Sequence, residues 1–407
     1  MSASASGSGA PTAGGASGAS ASGRAAPAAS GVWADLVGQE RAVASLRRAV
    51  AGESHAMTHA WLITGPPGSG RSNAARAFAA ALQCDRGGCG ACHACTTALS
   101  GAHPDVTLVR TEQLSIGVDD VRELVRRAAM QPTLGRHQVL VVEDADRVTE
   151  RGADALLKAI EEPARRTVWV LCAPTPDDVI ATIRSRCRHV QLVTPREEAI
   201  AALLVGRDGV PEELAAHAAR VAQGHIGRAR ALARNEDARR RRIEVLRIPA
   251  RLVTLGECLQ AAANLVATAT EEAAHVTAEL DVRERAELSA SLGVGSAGVR
   301  PRHAAAALKE LEDQQKARAK RLQRDALDRV LTELTGYHRD VLALQTGATQ
   351  RLINADIAPD LRARARQTTP EQTVARLDAI LECREALETN VAPQLAMESL
   401  MISLHTA

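Results

Sequence analysis

Between Trp61 and Leu192, short apolar runs alternate with stretches whose apolar positions recur every three to four residues. The runs Trp61–Thr64, Val106–Val109, Val139–Val142, Val168–Cys172 and His189–Leu192 predict strands, and the stretches Arg71–Gln83, Val118–Met130, Thr149–Glu162 and Asp177–Arg184 predict helices. Such alternation implies an α/β fold with a parallel sheet covered on both faces. Ahead of it, VWADLVGQ (Val32 to Gln39) opens the folded region, followed by an amphipathic helix carrying Val43, Leu46, Arg47 and Val50.

Residues 1–31 are almost entirely Ala, Ser, Gly, Pro and Thr with Arg24 as the only charge, so they bury too little apolar surface to offset the entropy of ordering and predict a disordered tail. After Pro195 the strand signals stop. Residues 196–235 predict a small helical domain ending in GHIGRARAL (Gly224 to Leu232), and residues 236–407 a wholly helical one. In the latter, Leu308, Leu311, Leu322, Leu327, Val330, Leu334, Val341 and Leu344 follow the spacing of one buried helix face, and LGVGSAGVRPRH (Leu292 to His303) reads as a loop. The α/β domain therefore spans residues 32–195.

Composition narrows the possible partners. Fifty basic groups nearly balance 48 acidic ones for a net charge of +2, so nothing global favours nucleic-acid binding, and any DNA contact would be local or shared. Phe, Tyr and Trp total five residues, so the core is built from Ala, Leu and Val, which suits closely packed helices. No apolar run approaches the roughly 18–20 residues needed to cross a bilayer, and the N-terminus lacks a secretory apolar core, so a cytoplasmic protein is expected.

The segment WLITGPPGSGRS (Trp61 to Ser72) is a phosphate-cradling loop with one departure: Arg71 stands where the pattern G-x-x-x-x-G-K-[ST] has lysine. Gly65, Gly68 and Gly70 allow backbone N–H groups to face a di- or triphosphate at a helix N-terminus, and Ser72 offers a hydroxyl to magnesium. Arginine keeps the charge but changes reach and geometry, so weak nucleotide binding without efficient hydrolysis is expected. Only four of the 50 basic residues are lysine (Lys158, Lys309, Lys316, Lys320), so the substitution also fits a general preference for arginine.

The run VLVVEDAD (Val139 to Asp146) leads a strand directly into Glu143 and Asp144, where a nucleotide-hydrolysing sheet places the carboxylates that hold magnesium and polarise water. Their order is the reverse of the usual aspartate then glutamate, so the shorter Asp144 reaches a catalytic water less readily. Acids after an apolar strand otherwise mark a solvated loop. Arg228, in the turn between Gly224 and Gly227 and the following helix, would point at a bound phosphate; taken alone it is a solvated helix-start arginine.

Cys84, Cys89, Cys92 and Cys95 cluster among Gly87, Gly88 and Gly90, and four thiolates this close meet the tetrahedral demand of a structural zinc ion. His93 lies inside the knuckle but is not needed to complete the shell. An iron–sulfur cluster is the competing reading, although its usual cysteine runs are spaced differently. Cys172, Cys187, Cys258 and Cys383 are isolated and read as small buried side chains.

In chain order, GPPGSGRS, a four-cysteine knuckle after the first sheet helix, HPDVTLV (His103 to Val109), ALLKAIEEP (Ala155 to Pro163) and TIRSRC (Thr182 to Cys187) resemble bacterial clamp-loader subunits of the AAA+ class. The resemblance covers residues 32–235; the helical remainder, including RDVL (Arg339 to Leu342), is compatible with that family's collar. It implies an ATP-binding sheet domain, a helical lid and a collar joining motor subunits and a delta subunit into a hetero-pentamer that loads a sliding clamp onto primed DNA. By the same resemblance, Arg186 in Ser185-Arg186-Cys187 reaches in trans to a neighbour's nucleotide, and Arg228 is the lid arginine that senses nucleotide. Arg71 and the pair Glu143–Asp144 favour a non-motor member. Two alternatives stay open: the ATP-hydrolysing motor subunit, which the missing lysine disfavours, and a zinc-knuckle nucleic-acid-binding module, although residues 84–95 lack the aromatic groups that stack on single strands.

Overall fold

The computed structural model describes residues 31–111, 115–292, 302–349, 351–389 and 391–406; the expected tail lies outside them apart from Gly31. The first half runs α1 (Glu40–Val50), β1 (Ala60–Thr64), α2 (Arg71–Gln83), α3 (His93–Ser100), β2 (Val106–Val109), α4 (Val118–Ala128), β3 (Gln138–Val142), α5 (Glu150–Glu161), β4 (Thr167–Ala173), α6 (Ala181–Arg184) and β5 (Arg188–Gln191). The strands form one parallel sheet in the order β2-β3-β4-β1-β5. The central three, AWLIT, QVLVV and TVWVLCA, are buried at every position, which is why they carry no polar alternation.

Successive side chains leave opposite faces. Trp61, Ile63, Val139, Val141, Val168 and Val170 join α1, α2 and the cysteine knuckle in one core, while Leu62, Leu140, Val142, Trp169 and Leu171 pack with α4 and α5 in another. Six of the 13 residues of α2 are buried alanines, which let the helix lie close to the sheet, and Phe78 meets Trp61 edge to face at 4.9 Å.

The α7 (Glu197–Asp208), α8 (Glu212–Val221) and α9 (Ile226–Arg234) helices share a compact core around Ile200, Leu204, Ala218 and Leu232. Beyond them come α10 (Glu236–Arg251), the long pair α11 (Leu255–Ser291) and α12 (Arg302–Gln345), then α13 (Ala358–Gln367), α14 (Pro370–Glu388) and α15 (Pro393–Thr406). Where α11 faces its neighbours it buries Cys258, Ala262, Ala269, Ala273 and Thr277, small residues that permit a close approach. Arg318 on α12 ties the pair together, donating to Asp281 and Glu284 of α11 at 2.5 and 2.6 Å.

The elements depart from expectation in a few places. The helix expected over Asp177–Arg184 is divided: Pro176–Asp178 forms a 3-10 turn closed by Thr175 donating to Asp178, Val179 is extended, and only Ala181–Arg184 is helical. The helix expected to reach Met130 stops at Ala128, and the α3 helix, carrying Cys95, was not expected. Of the expected loop Leu292–His303, residues 293–301 lie outside the described residues, while Arg302 and His303 already belong to α12.

One buried acid fixes the turn between α4 and β3. The Asp105 carboxylate, 1% exposed, accepts the backbone N–H groups of Thr133, Leu134 and Gly135 at 2.6–2.8 Å. Burial alone would raise its pKa, but these donors outweigh it and hold the carboxyl below the usual carboxylate range. Its stabilisation is therefore complete above the ordinary carboxylate pKa and is lost as pH falls through the lower, folded-state value. Asp105→Ala should lower the unfolding free energy at neutral pH by about 3 kcal/mol, since a hydrogen bond to a charged group contributes about 1.5–3. This is read as a lower urea midpoint at unchanged slope; a loss under about 1 kcal/mol would mean that the turn holds itself.

Candidate functional site

Parallel pairing brings the phosphate-type loop and the acids to one edge. The loop leaves β1 after Thr64 and the acids leave β3 after Val142, with β4 between the two strands, so they stand about two strand spacings, roughly 10 Å, apart. The loop is held by Gly65 N–H donating to Pro174 O at 3.1 Å, and Gly68 (φ 79°) and Gly70 (φ 93°) adopt backbone conformations that other residues rarely take. A Cβ on Gly68 would lie 2.2 Å from His225 Cγ, so α9 is seated directly on the loop. Arg71 and Ser72 open α2, and Ser69 Oγ and Arg71 Nη1 are buried without a hydrogen-bond partner among the described residues.

The acids, by contrast, are paired within the chain. Glu143, 8% exposed, accepts from Arg76 Nε at 2.7 Å. Asp144 lies 3.3–3.4 Å from both Nη atoms of Arg321 on α12, and Arg321 Nη1 also donates to Thr111 O. Arg228 does not face the loop with its guanidinium: its backbone N–H donates to His225 Nδ1 at 3.1 Å, while its side chain pairs with Glu333 of α12. Glu333 is also 3.4 Å from Arg242 Nε. Removing one partner from such a buried set costs about 3–5 kcal/mol, because the charge left behind has no water to turn to.

Arg186 follows α6 on the surface, its Nη2 2.7 Å from Glu161 and its Nη1 donating to Thr182 O at 2.8 Å. In the sheet, Arg188 pairs with Trp61 while Thr64 pairs with Gln191. Arg186 thus sits by the start of β5, at the end of the sheet away from the chain's own phosphate-type loop.

The four knuckle sulfurs lie within 4.8 Å of one another, with Cys84 Sγ 3.8 Å from Cys89 Sγ and 3.7 Å from Cys92 Sγ. A tetrahedron with metal–sulfur bonds of about 2.3 Å has edges of about 3.8 Å, so the cluster has the dimensions to hold a metal ion. Burial pushes the Cys84 thiol up, but backbone donors from Cys89, Gly88 and Arg86 outweigh it and bring it down to about 6, whereas burial holds the Cys95 thiol well above its usual range. Gly31–Trp33 closes one side of the knuckle: Val32 N–H donates to Gly88 O at 3.1 Å, and a Cβ on Gly88 would lie 2.7 Å from Val32 Cγ2. Cys172, Cys258 and Cys383 are buried and Cys187 half-buried, each without a disulfide.

A parallel sheet with a glycine loop after its first strand, acids after its third, a helical unit seated on the loop and a helical C-terminal region defines a AAA+ type nucleotide-binding fold. Residues 38–196 match the family described as DNA polymerase III, delta subunit, and residues 307–406 match DNA polymerase III, delta subunit, C terminal. The chain is 26% identical to DNA polymerase III subunit delta' of Bacillus subtilis, over 86% of this chain and 92% of that protein. It is 38% identical to subunit delta' of Pseudomonas aeruginosa, over 38% of this chain and 48% of that one. With subunit gamma/tau of Mycobacterium tuberculosis it shares 37% identity, over 44% of this chain and 32% of the relative. The chain thus spans about a third to a half of the length of the Mycobacterium and Pseudomonas relatives. It is similar to subunits of DNA polymerase III along both matched stretches, and the delta' likeness extends along far more of it than the gamma/tau likeness does. Among the described residues no helix is long and apolar enough to cross a membrane.

The site residues not anticipated from sequence are Arg76, Glu333 and Arg321. Arg76 lies half-buried on the loop's own helix, five residues after Arg71, a position that composition alone does not distinguish from a solvated arginine. Arg321 and Glu333 act across 177 and 105 residues of chain, and no local pattern marks such pairs.

Proposed function

We propose that this chain is the non-motor, delta'-type subunit of a DNA polymerase III clamp loader. It would assemble through its collar, residues 236–407, with motor subunits and a delta subunit into a hetero-pentamer, which places the sliding clamp on primed DNA. The lid of this reading is residues 196–235. The observation that carries it is the state of the nucleotide-type site: Arg71 replaces the loop lysine, and Glu143, Asp144 and Arg228 are each engaged by another side chain of the same chain. Any ATP or Mg2+ held by Gly65, Gly68, Gly70, Arg71 and Ser72 would be bound weakly and turned over little. Arg186 would serve a neighbour's nucleotide, where a guanidinium stabilises charge on the transferring phosphoryl group, a reading supported by its surface position away from this loop.

Within this reading the knuckle holds one structural Zn2+ through Cys84, Cys89, Cys92 and Cys95, supported by sulfur separations that match a tetrahedral ion and by the backbone N–H groups aimed at Cys84. Elemental analysis of the purified chain should give one zinc per molecule, lowered by Cys92→Ser; a folded chain with no zinc, or with iron, rejects the assignment.

The trans role is tested in a reconstituted loader carrying Arg186→Ala. The exposed pair with Glu161 contributes little, so stability should change by no more than about 0.5 kcal/mol and assembly should be unaffected. Clamp- and DNA-stimulated ATP hydrolysis should fall by the share of one interface, because a trans arginine contributes roughly 10³- to 10⁵-fold at its own site, and loading should slow. Unchanged hydrolysis and loading would reduce Ser185-Arg186-Cys187 to a structural turn.

A further inference from the structure

The nine residues Gly31 to Gln39, just ahead of α1, join the cysteine knuckle to the helices that follow the sheet. At one end, Val32 N–H donates to Gly88 O at 3.1 Å and Trp33 Nε1 to Gly87 O at 3.4 Å, with the Trp33 side chain fully buried. A 3-10 turn and a bond from Leu36 N–H to Trp33 O keep the middle compact. At the other end the buried Gln39 amide donates to Val193 O at 2.7 Å and accepts Val193 N–H at 3.0 Å. Between the two ends, Val37 packs against the core shared by α7, α8 and α9, Asp35 pairs with Arg207 of α7, and a Cβ on Gly38 would lie 3.5 Å from Pro195 Cα. Residues 31–39 thus form a strap from the knuckle to the chain that leads out of β5 into α7.

The two ends of this strap are held differently. Gln39 grips backbone that the sheet already fixes, since Leu192 N–H, one residue before Val193, donates to Thr64 O at 2.7 Å. The carbonyls of Gly87 and Gly88 belong to a loop without such support. Residues 85–92 form no helix or strand, and Gly87, Gly88 and Gly90 have φ of 65°, 99° and 79°. Glycine loses more conformational freedom on ordering than any other residue, so a loop built on three of them is costly to hold in one shape. What converges in it are the four sulfurs of Cys84, Cys89, Cys92 and Cys95, within 4.8 Å of one another. A structural metal at such a cluster supplies folding free energy that the metal-free chain lacks. The place of the Gly87 and Gly88 carbonyls, and with it the seat of Val32 and Trp33, then depends on the metal.

We propose that metal at the knuckle acts at a distance through this strap: it seats Val32 and Trp33, their seating holds Val37 and Gln39 against α7 and its approach, and loss of the metal loosens α7 while the sheet stays folded. The inference rests on the reading of the four cysteines as a zinc site, and not on a ligand at the glycine loop or on the trans role of Arg186. Coupling between two sites is reciprocal, so loosening the far end of the strap also weakens the hold on the metal.

The test is hydrogen–deuterium exchange of the zinc-loaded full chain, read by mass spectrometry before and after zinc is removed with the chelator TPEN in reducing buffer. Removal should speed exchange in residues 84–100, in 31–39 and in α7, by about 5-fold or more in α7, the lower range of coupling between two sites. Exchange in β3, β4 and α5 should stay as it was. Gln39→Ala, which cuts the far end of the strap and leaves all four cysteines, should speed exchange in α7 with zinc still bound, and TPEN should then add little there. The same variant should yield its zinc to TPEN more readily than the wild-type chain. An α7 that ignores zinc removal while residues 84–100 respond would overturn the relay and leave the zinc reading standing. Exchange in 84–100 that does not respond at all would reject the zinc reading and the relay with it. A rise spread equally over β3, β4 and α5 would also overturn the proposal, because the metal would then support the whole fold and not one strap, as would a folded Gln39→Ala chain whose α7 responds to TPEN as strongly as the wild type.

Discussion

Three strands with no polar face set the terms for the rest of the molecule. AWLIT, QVLVV and TVWVLCA are buried on both sides, and only a parallel sheet sandwiched between helices satisfies that requirement. Parallel connection then sends every strand's C-terminal end to one edge, so the glycine loop after β1 and the acids after β3 emerge together without any attraction between them. The same geometry puts the segment before β5, with Arg186, at the opposite end. A glycine loop at one end of the sheet and a surface arginine at the other are two consequences of one topology.

What distinguishes this chain is how its arginines are used. With only four lysines among 50 basic residues, almost every cation is a planar fork suited to a fixed carboxylate partner. Arg76 with Glu143, Arg321 with Asp144, Arg228 and Arg242 with Glu333, and Arg318 with Asp281 and Glu284 are all wholly or partly buried, and several join segments far apart in sequence. Buried pairs of this kind add less stability than their Coulomb attraction suggests, but each is costly to open, so they favour a single arrangement of the sheet and the helices around it. Here Glu143, Asp144 and Arg228 are each paired with another side chain of the same chain.

The sheet was legible from sequence because its strands are continuous apolar runs of about five residues, and the cysteine cluster because its spacing is short. Boundaries failed where a local hydrogen bond outweighed periodicity: the Thr175–Asp178 cap divides what the pattern joined, and α4 ends two residues early as the chain enters the turn that Asp105 holds. HPDVTLV served as a family landmark, yet the three backbone donors that Asp105 accepts could not be read from it. Residues Gly65 to Ser72 and Glu143–Asp144 do converge on one edge. The direction of Arg228, toward Glu333 and not toward the loop, depends on α12 passing more than a hundred residues later, and neither propensity nor motif contains that information.

The central claim is that this site does not run a hydrolytic cycle, and steady-state ATP turnover by the isolated full chain in magnesium tests it most directly. The account predicts no turnover above a buffer blank, and none when Arg71→Lys alone restores the loop lysine, since Glu143 and Asp144 remain paired with Arg76 and Arg321. Magnesium-dependent hydrolysis by the wild-type chain, abolished by Arg71→Ala, would contradict it and make the chain a motor.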